Sequence, residues 1–369
     1  MTKKNDEHVF VFGEGVLSGA IALLLSALSV LGGLAFHFPE YLTTPDLRQV
    51  YDVEMIRSLM FFSLILAGGL ATFNLIRGNN KRLGFLAWVF IVISVALGAH
   101  TVAVDDFADG KPYLGVDWLI LDLLGSTLVF VAIEKIWPHR DQPVLRMQWK
   151  TDLHHFLLNH LLVGFVLLVA NYSVYHVFGW VAELDSEAFI STLPFLLQLF
   201  LITLFADLVQ YTAHRAYHEI PFFWRFHAIH HSVKRMDWLA GSRQHFLELL
   251  LTRSLVLVPV YLLGFPKEVI DLYIVIVGFQ AVFNHSNVQF KFYGLQYIFV
   301  TPQFHHWHHS SDDAAIDKNY AAHFSFIDYL LGTAVRGQDE WPKEYGVVGD
   351  YVPDGLVNQQ LHPFKKQPK

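Results

Sequence analysis

Long apolar runs alternate with short polar breaks along this chain, at the spacing of membrane crossings. Apolar stretches fall at about 16–38, 56–77, 83–104, 114–134, 156–178 and 192–213. Each is long enough to cross a hydrocarbon layer of ~30 Å as a helix. Two shorter runs, about 249–263 and 268–284, are joined by Gly264-Phe265-Pro266-Lys267. They form either two further spans or a hairpin that enters the bilayer and returns. In hydrocarbon every backbone amide needs an internal partner, so helix is predicted throughout. The expected fold class is all-α, a polytopic membrane helical bundle.

Composition supports that pattern over the two soluble domains that 369 residues would otherwise suggest. The chain is 53% hydrophobic and 16% charged, against ~25% charged in ordinary soluble domains. Its mean hydropathy is +0.36. Lys3 and Lys4 precede a first run too long for a cleavable signal core, so that run is expected to be retained. With no cysteine, the chain has no disulfide, iron–sulfur cluster, thiolate ligand or cysteine nucleophile. The net charge of −7 is spread through loops and forms no basic face for nucleic acid.

Loop charge sets the expected orientation. Arg77, Lys81 and Arg82 lie in one break, Lys135, Arg140, Arg146 and Lys150 in another, and Arg215, Arg225, Lys234, Arg235 and Arg243 follow the sixth run. The intervening breaks carry Asp46, Asp52 and Glu54, then Asp105, Asp106 and Asp109, then Glu183, Asp185 and Glu187. Lys and Arg mark the cytoplasmic side, which places the N-terminus there together with a histidine-rich helical cap. Three regions are expected: a four-span N-terminal membrane part at 1–134, a catalytic part at 135–335, and a polar tail at 336–369. Leu66-Ala67-Gly68-Gly69 suits close helix contact in the first.

The chemistry concentrates in the second region, where 11 of 21 histidines lie between His214 and His309. They read His214-x-x-x-His218, His227-x-x-His230-His231, and His305-His306-x-His308-His309, with His245 and His285 standing singly. Residues at i, i+3 and i+4 share one helical face, so each cluster points its imidazoles one way. Polar surroundings on the same side make His245 and His285 further candidates, whereas His306 falls off the shared face and reads as a neighbour. His154, His155 and His160 lack the spacing and read as interfacial. The candidate ligands are therefore His214, His218, His227, His230, His231, His245, His285, His305, His308 and His309. Asp207, two turns before His214, would be costly near a span end unless paired, and is expected to accept a proton from a ligand imidazole. The aromatic stretch Phe222–Phe226 suits the bilayer surface.

So many nitrogen donors exceed what one ion of tetrahedral or octahedral habit can use; two ions fit. Zinc hydrolases typically use three protein ligands and an open position, so this donor set points elsewhere. An unactivated lipid C–H bond offers no acid–base handle and calls for a redox metal. A divalent-metal transporter would place its ligands near the bilayer midplane, whereas these lie beyond the span ends.

The three boxes, in order and in a polytopic chain, resemble the fatty acid hydroxylase/sterol desaturase superfamily over about 135–335. Arg243-Gln244-His245-Phe246-Leu247-Glu248 is similar to its R-x-H-P-L-E segment, with Phe246 in the proline place, and Asn284-His285-Ser286-Asn287 to its N-H-x-N. Asn319-Tyr320-Ala321 and Ile327-Asp328-Tyr329-Leu330-Leu331-Gly332-Thr333 resemble its closing motifs, with Ala321, Ile327 and Leu331 as departures; Asp328 thereby joins Asp207 behind the ligands. The resemblance implies a di-iron, O2-dependent oxygenase that hydroxylates a lipid C–H bond, with desaturation as the alternative outcome. The expected location is the inner cell membrane or the endoplasmic reticulum. Two electrons per turnover would come from NAD(P)H through a separate reductase, cytochrome b5-type protein or ferredoxin, since the chain shows no nucleotide fingerprint of its own.

Overall fold

The computed structural model describes residues 16–104 and 113–162, isolated positions between 163 and 185, and residues 186–365, apart from Asn79, Lys291, 336–339 and Asp350. The acidic Asp105–Asp109 loop, Glu183, Asp185 and the latter part of the fifth apolar run lie outside the described residues. Described secondary structure is helical, with two isolated β-bridges and no strand among the described residues. The long helices are α1 (Val16–His37), α2 (Val53–Arg77), α3 (Lys81–Ala96), α4 (Val116–Ile136), α5 (Trp149–Leu161), α6 (Phe195–Glu219), α7 (Pro221–His231), α8 (Phe246–Leu262) and α9 (Lys267–His285). Shorter ones follow at α10 (Pro302–His308), α11 (Phe326–Leu331) and α12 (Leu356–Leu361). Among the described residues six helices are long and apolar enough to cross a membrane: α1, α2, α3 with its extension to Thr101, α4, α6 and α9. Of the two short runs, α9 at 19 residues is one of these six; α8 has 17 and carries Pro259 in its interior.

The chain divides into two compact units, Met1–Trp118 and Leu119–Lys369. The break falls within α4, earlier than the boundary at 134 read from hydropathy. In the first unit α1, α2 and α3 pack on small residues: Ala22, Ala71 and Ala87 form a buried cluster. Close approach is required at Gly19 and Gly84 rather than at Gly69, which has open space beside it. A Cβ at Gly84 would meet the Asn74 side-chain oxygen at 2.6 Å, the atom that accepts the Gly84 amide proton. Outward residues such as Phe62, Ile65 and Ile76 are exposed, as a lipid-facing surface requires.

In the second unit α6, α8 and α9 share an apolar core of Ile202, Ala206, Val256, Val260, Val269, Ile270 and Val277. Beside it lies a buried ionic network. Arg146 pairs with Asp152 at 2.7 Å and with Asp237 at 2.6 Å, while Arg243 pairs with Asp152 at 2.6 Å. The segment expected as a polar tail is folded against this unit. Gln359 bonds His155, Gln360 bonds His245, the Tyr345 hydroxyl bonds His306, and Arg140 donates to the carbonyl of Pro342.

Candidate metal centre

Nine of the ten candidate ligands meet in two sets. His214, His218, His227, His231 and His308 form one; His230, His285, His305 and His309 form the other. Within each set the nearest ring nitrogens all lie within 4.8 Å of one another. The helices explain the gathering: α6 ends at the first box, Pro221 starts α7 immediately after, and α7 presents the second box back across it. Pro302 starts α10, with Thr301 capping its first turn by accepting from the Phe304 amide, and that turn carries the third box. His285 closes α9, where Gly241 leaves room for it: a Cβ there would sit 2.9 Å from His285 Nδ1.

Six of the nine rings are turned by what holds their outer nitrogen. Backbone carbonyls accept from Nδ1 of His214 (Tyr320, 2.7 Å), His230 (Arg243, 2.9 Å), His285 (Ala281, 2.7 Å) and His308 (Lys318, 2.7 Å). Carboxylates take Nδ1 of His227 (Glu248, 2.8 Å) and of His218 (Asp317, 3.3 Å). A carbonyl only accepts, so the proton of those rings lies on Nδ1 and a neutral ring turns a bare Nε2 inward. Burial holds the rings neutral, pushing His230 down to about 4 and His227, His231, His305, His308 and His309 well below the ordinary histidine range.

Bare nitrogens then face one another. His230 Nε2 and His285 Nε2 are 3.2 Å apart although both Nδ1 atoms donate outward to carbonyls, and His214 Nε2 stands 3.0 Å from His227 Nε2. His285 Nε2 also lies 3.1 Å from His305 Nε2 and 3.2 Å from His309 Nε2. Lone pairs opposed at that separation repel unless a cation lies between them. Two nitrogens bound at a right angle through bonds of about 2.0–2.1 Å are about 3 Å apart, so the spacing fits ligands of one ion. Buried Nε2 atoms of His218 and His308 have no hydrogen-bond partner in the protein, which also suits a metal donor. The residues fit two cations.

The remaining candidates stand elsewhere. His245 caps α8, its Nδ1 accepting from the Leu247 amide and its Nε2 donating to the Gln360 carbonyl, so neither nitrogen is free for an ion. His306 lies between the Tyr345 hydroxyl and the Ser286 carbonyl. His155, buried, bonds the Gln244 carbonyl and Gln359; His160 bonds Asp122; His154 is exposed. Asp207 meets no ligand imidazole. Its carboxylate accepts from the amides of Ala322, His323 and Phe324, while Asp328 accepts from those of Tyr320 and Ala321 and from the Thr333 hydroxyl. Together they fix the loop whose Tyr320 carbonyl turns His214, and so act on a ligand through backbone. Asp317 and Asn319, both at positive φ, bracket Lys318 in the same loop.

Of the two carboxylates that contact a candidate ligand, Glu248 carried a sequence signal like that of Asp207: an acid at the edge of an apolar helix needs a partner. Asp317 and the four carbonyls gave none.

Beside the rings is a cavity of about 130 Å³, lined by His214 and His227 of one set and His230, His285 and His305 of the other, with Leu249, Val277 and Ala281 among its apolar walls.

These features describe a helical protein, apolar enough to cross a membrane several times, whose imidazoles gather in two sets that could each hold a cation, beside one cavity. Residues 199–333 match the fatty acid hydroxylase family model. The chain is 35% identical over 174 residues to the ornithine lipid hydroxylase of Rhizobium tropici, covering 47% of this chain and 52% of the relative. It is 29% identical over 161 residues to the alkylglycerol monooxygenase of Caenorhabditis elegans, covering 43% and 31%. The human alkylglycerol monooxygenase is 30% identical over 130 residues, covering 34% and 28%. The chain thus matches about half or less of the length of these relatives. No solved structure is significantly similar.

Proposed function

We propose that this protein is a membrane lipid hydroxylase in which two iron ions, one in each histidine set, serve an O2-dependent insertion of oxygen into a lipid C–H bond. The observation that carries the reading is the pairing of bare Nε2 atoms at about 3 Å in two adjoining sets. It is supported by the relatives' printed activities, a lipid hydroxylase and two lipid monooxygenases. Bound iron would supply the one-electron and oxygen chemistry that side chains lack.

The protein's own part is positional. The Nδ1 protons are held outward by Tyr320, Arg243, Ala281, Lys318, Glu248 and Asp317, which keeps the donors oriented and raises the basicity of those backed by carboxylate. Apolar residues on the cavity wall seat an alkyl chain and exclude water. The balance is one lipid C–H, one O2, two electrons and two protons, giving the alcohol and water. A chain without cysteine or nucleotide fingerprint takes those electrons from a separate donor, of cytochrome b5, ferredoxin or reductase type, charged by NAD(P)H. By the distribution of lysine and arginine, the site faces the cytoplasm, in the inner cell membrane or the endoplasmic reticulum.

Lipid mass spectrometry of cells with and without the gene tests this. A lipid gaining 16 mass units only in expressing cells is expected, and only while His230 and His308 are intact. A loss of 2 units would make the reaction desaturation. No lipid change under adequate iron, O2 and donor would refute the reading.

A further inference from the structure

The cavity lining includes a cationic side chain besides the candidate ligands. Arg253 lies on α8, about 10 Å along the axis from its first residue, and from Leu249 to the end of the helix the other side chains are apolar or carry a hydroxyl. It lines the cavity together with Gln210, Thr252 and His323. A guanidinium within an apolar helix packed among spans is unfavourable unless it faces water or an anion.

Among the described residues none provides an anion paired with it. Among the described residues no carboxylate is within ion-pair distance of Arg253 and no carbonyl accepts a hydrogen bond from it. The acid on the cavity wall, Glu248, accepts from His227 and Gln244 through one oxygen; its other oxygen is buried without a hydrogen-bond partner and makes no ion pair with Arg253. Asp207 is engaged by three amides. Thr252 pairs with the Tyr217 hydroxyl at 2.8 Å and His323 with Gln280 at 2.6 Å. The Gln210 amide, like Arg253, has no hydrogen-bond partner among the described residues.

We infer that Arg253, assisted by Gln210, receives an acidic group of the lipid substrate, a carboxylate or a phosphate, and thereby sets which carbon lies against the histidine wall. This rests on the lipid-hydroxylase reading of the same cavity and adds a substrate class to it. A planar guanidinium offers paired N–H donors that match either oxyanion. A neutral lipid would leave the cation unpaired in the cavity, so the same residue selects against it.

Binding to the purified full chain in detergent is the test, read by tryptophan fluorescence with four probes: N-oleoylglycine, its methyl ester, oleoyl lysophosphatidate and 1-O-octadecylglycerol. N-oleoylglycine should bind about tenfold or more tighter than its ester, the scale of a hydrogen bond to a charged group, and the alkylglycerol should resemble the ester. The tighter of the two acids identifies carboxylate or phosphate as the natural group. Arg253→Gln should bring the acid-to-ester ratio near one with metal content unchanged. Gln210→Leu should reduce the ratio about threefold, and serves alone if the first variant does not fold.

Equal binding of acid and ester by the native protein would overturn the inference, as would a ratio unmoved by these substitutions. Binding is read without turnover. Acid preference without any oxygenated product would leave the anion site standing and fail the hydroxylase reading. Oxygenated product formed with no acid preference would fail the anion site alone.

Discussion

The two histidine sets are made of the same rings but are backed differently. In the five-histidine set, two rings donate to carboxylates, His227 to Glu248 and His218 to Asp317. In the four-histidine set the outer partners of His230 and His285 are neutral carbonyls, and the Nδ1 atoms of His305 and His309 are buried without a partner. A carboxylate behind an imidazole makes it a better donor. The five-donor set should therefore bind its ion more tightly, and the four-donor set should leave more of an octahedral ion open to other ligands. Identical side chains thus produce unequal sites because of what lies behind them.

Removing a donor should break this comparison most severely. His285→Ala leaves three donors in the weaker set and should abolish retention of that ion, with loss of oxygenation. His308→Ala leaves four donors in the other set and should weaken its ion without losing the partner ion. Elemental analysis of each variant after dialysis checks this; equal losses would mean that the sets are not separate.

The next effect concerns the backing. Glu248→Gln should lower affinity for one ion by about 10–100-fold, in the five-histidine set only. Stepwise removal by a chelator reads it: the native protein should release its two ions in separated steps, which the variant draws together. Unchanged steps would show that Glu248 does not tune the donor.

A smaller effect is expected from Asp207→Asn. The amide keeps one oxygen for the amides of residues 322–324, so the protein should fold, lose about 1–3 kcal/mol of stability, and retain both ions with some turnover. Full native stability and activity would make the Asp207 contacts incidental.

Smallest is a pH effect outside the donors. Burial holds His155 at about 4 and His306 at about 3, whereas in an unfolded chain they titrate near 6.5. Below ~6.5 these two side chains bind more protons in the unfolded than in the folded state, so each contributes stability that is present above ~6.5 and is lost as pH drops towards its folded value. In the metal-stripped protein His155→Gln should remove that residue's share of the loss between about pH 6.5 and 4; an unaltered pH dependence would exclude it as a contributor.

Much of this was legible in the chain because apolar runs and i, i+3, i+4 spacing are local signals. The first four runs, the sixth and the 268–284 run emerged as span-length helices, and the three boxes and His285 converged. What was not legible depended on distant chain meeting. His245 looked like its neighbours but took the N-cap of α8, because its ring meets Gln360 from a segment more than 100 positions on. That same segment read as a polar extension, since its contacts through Tyr345, Gln359 and Gln360 are individual hydrogen bonds without periodicity. Asp207 was recognised as needing a partner, but hydropathy does not reveal whether that partner is an imidazole or a backbone loop. The carbonyls of Lys318 and Tyr320 have no sequence signature, and the turns that present them occur at Asp317 and Asn319 rather than at glycine.

Unit Met1–Trp118 illustrates the opposite case, where pattern was nearly sufficient: its helices meet on alanine, glycine and serine, and its buried Asn74 is answered within the same bundle by the Gly84 amide.

The central claim, two cations in two histidine sets, is tested most directly by counting metal. After reconstitution with iron and removal of loosely held ions, elemental analysis should give two irons per chain in the native protein, two in His245→Ala and one in His285→Ala. One iron or fewer in the native protein, or an unchanged count in His285→Ala, would contradict it.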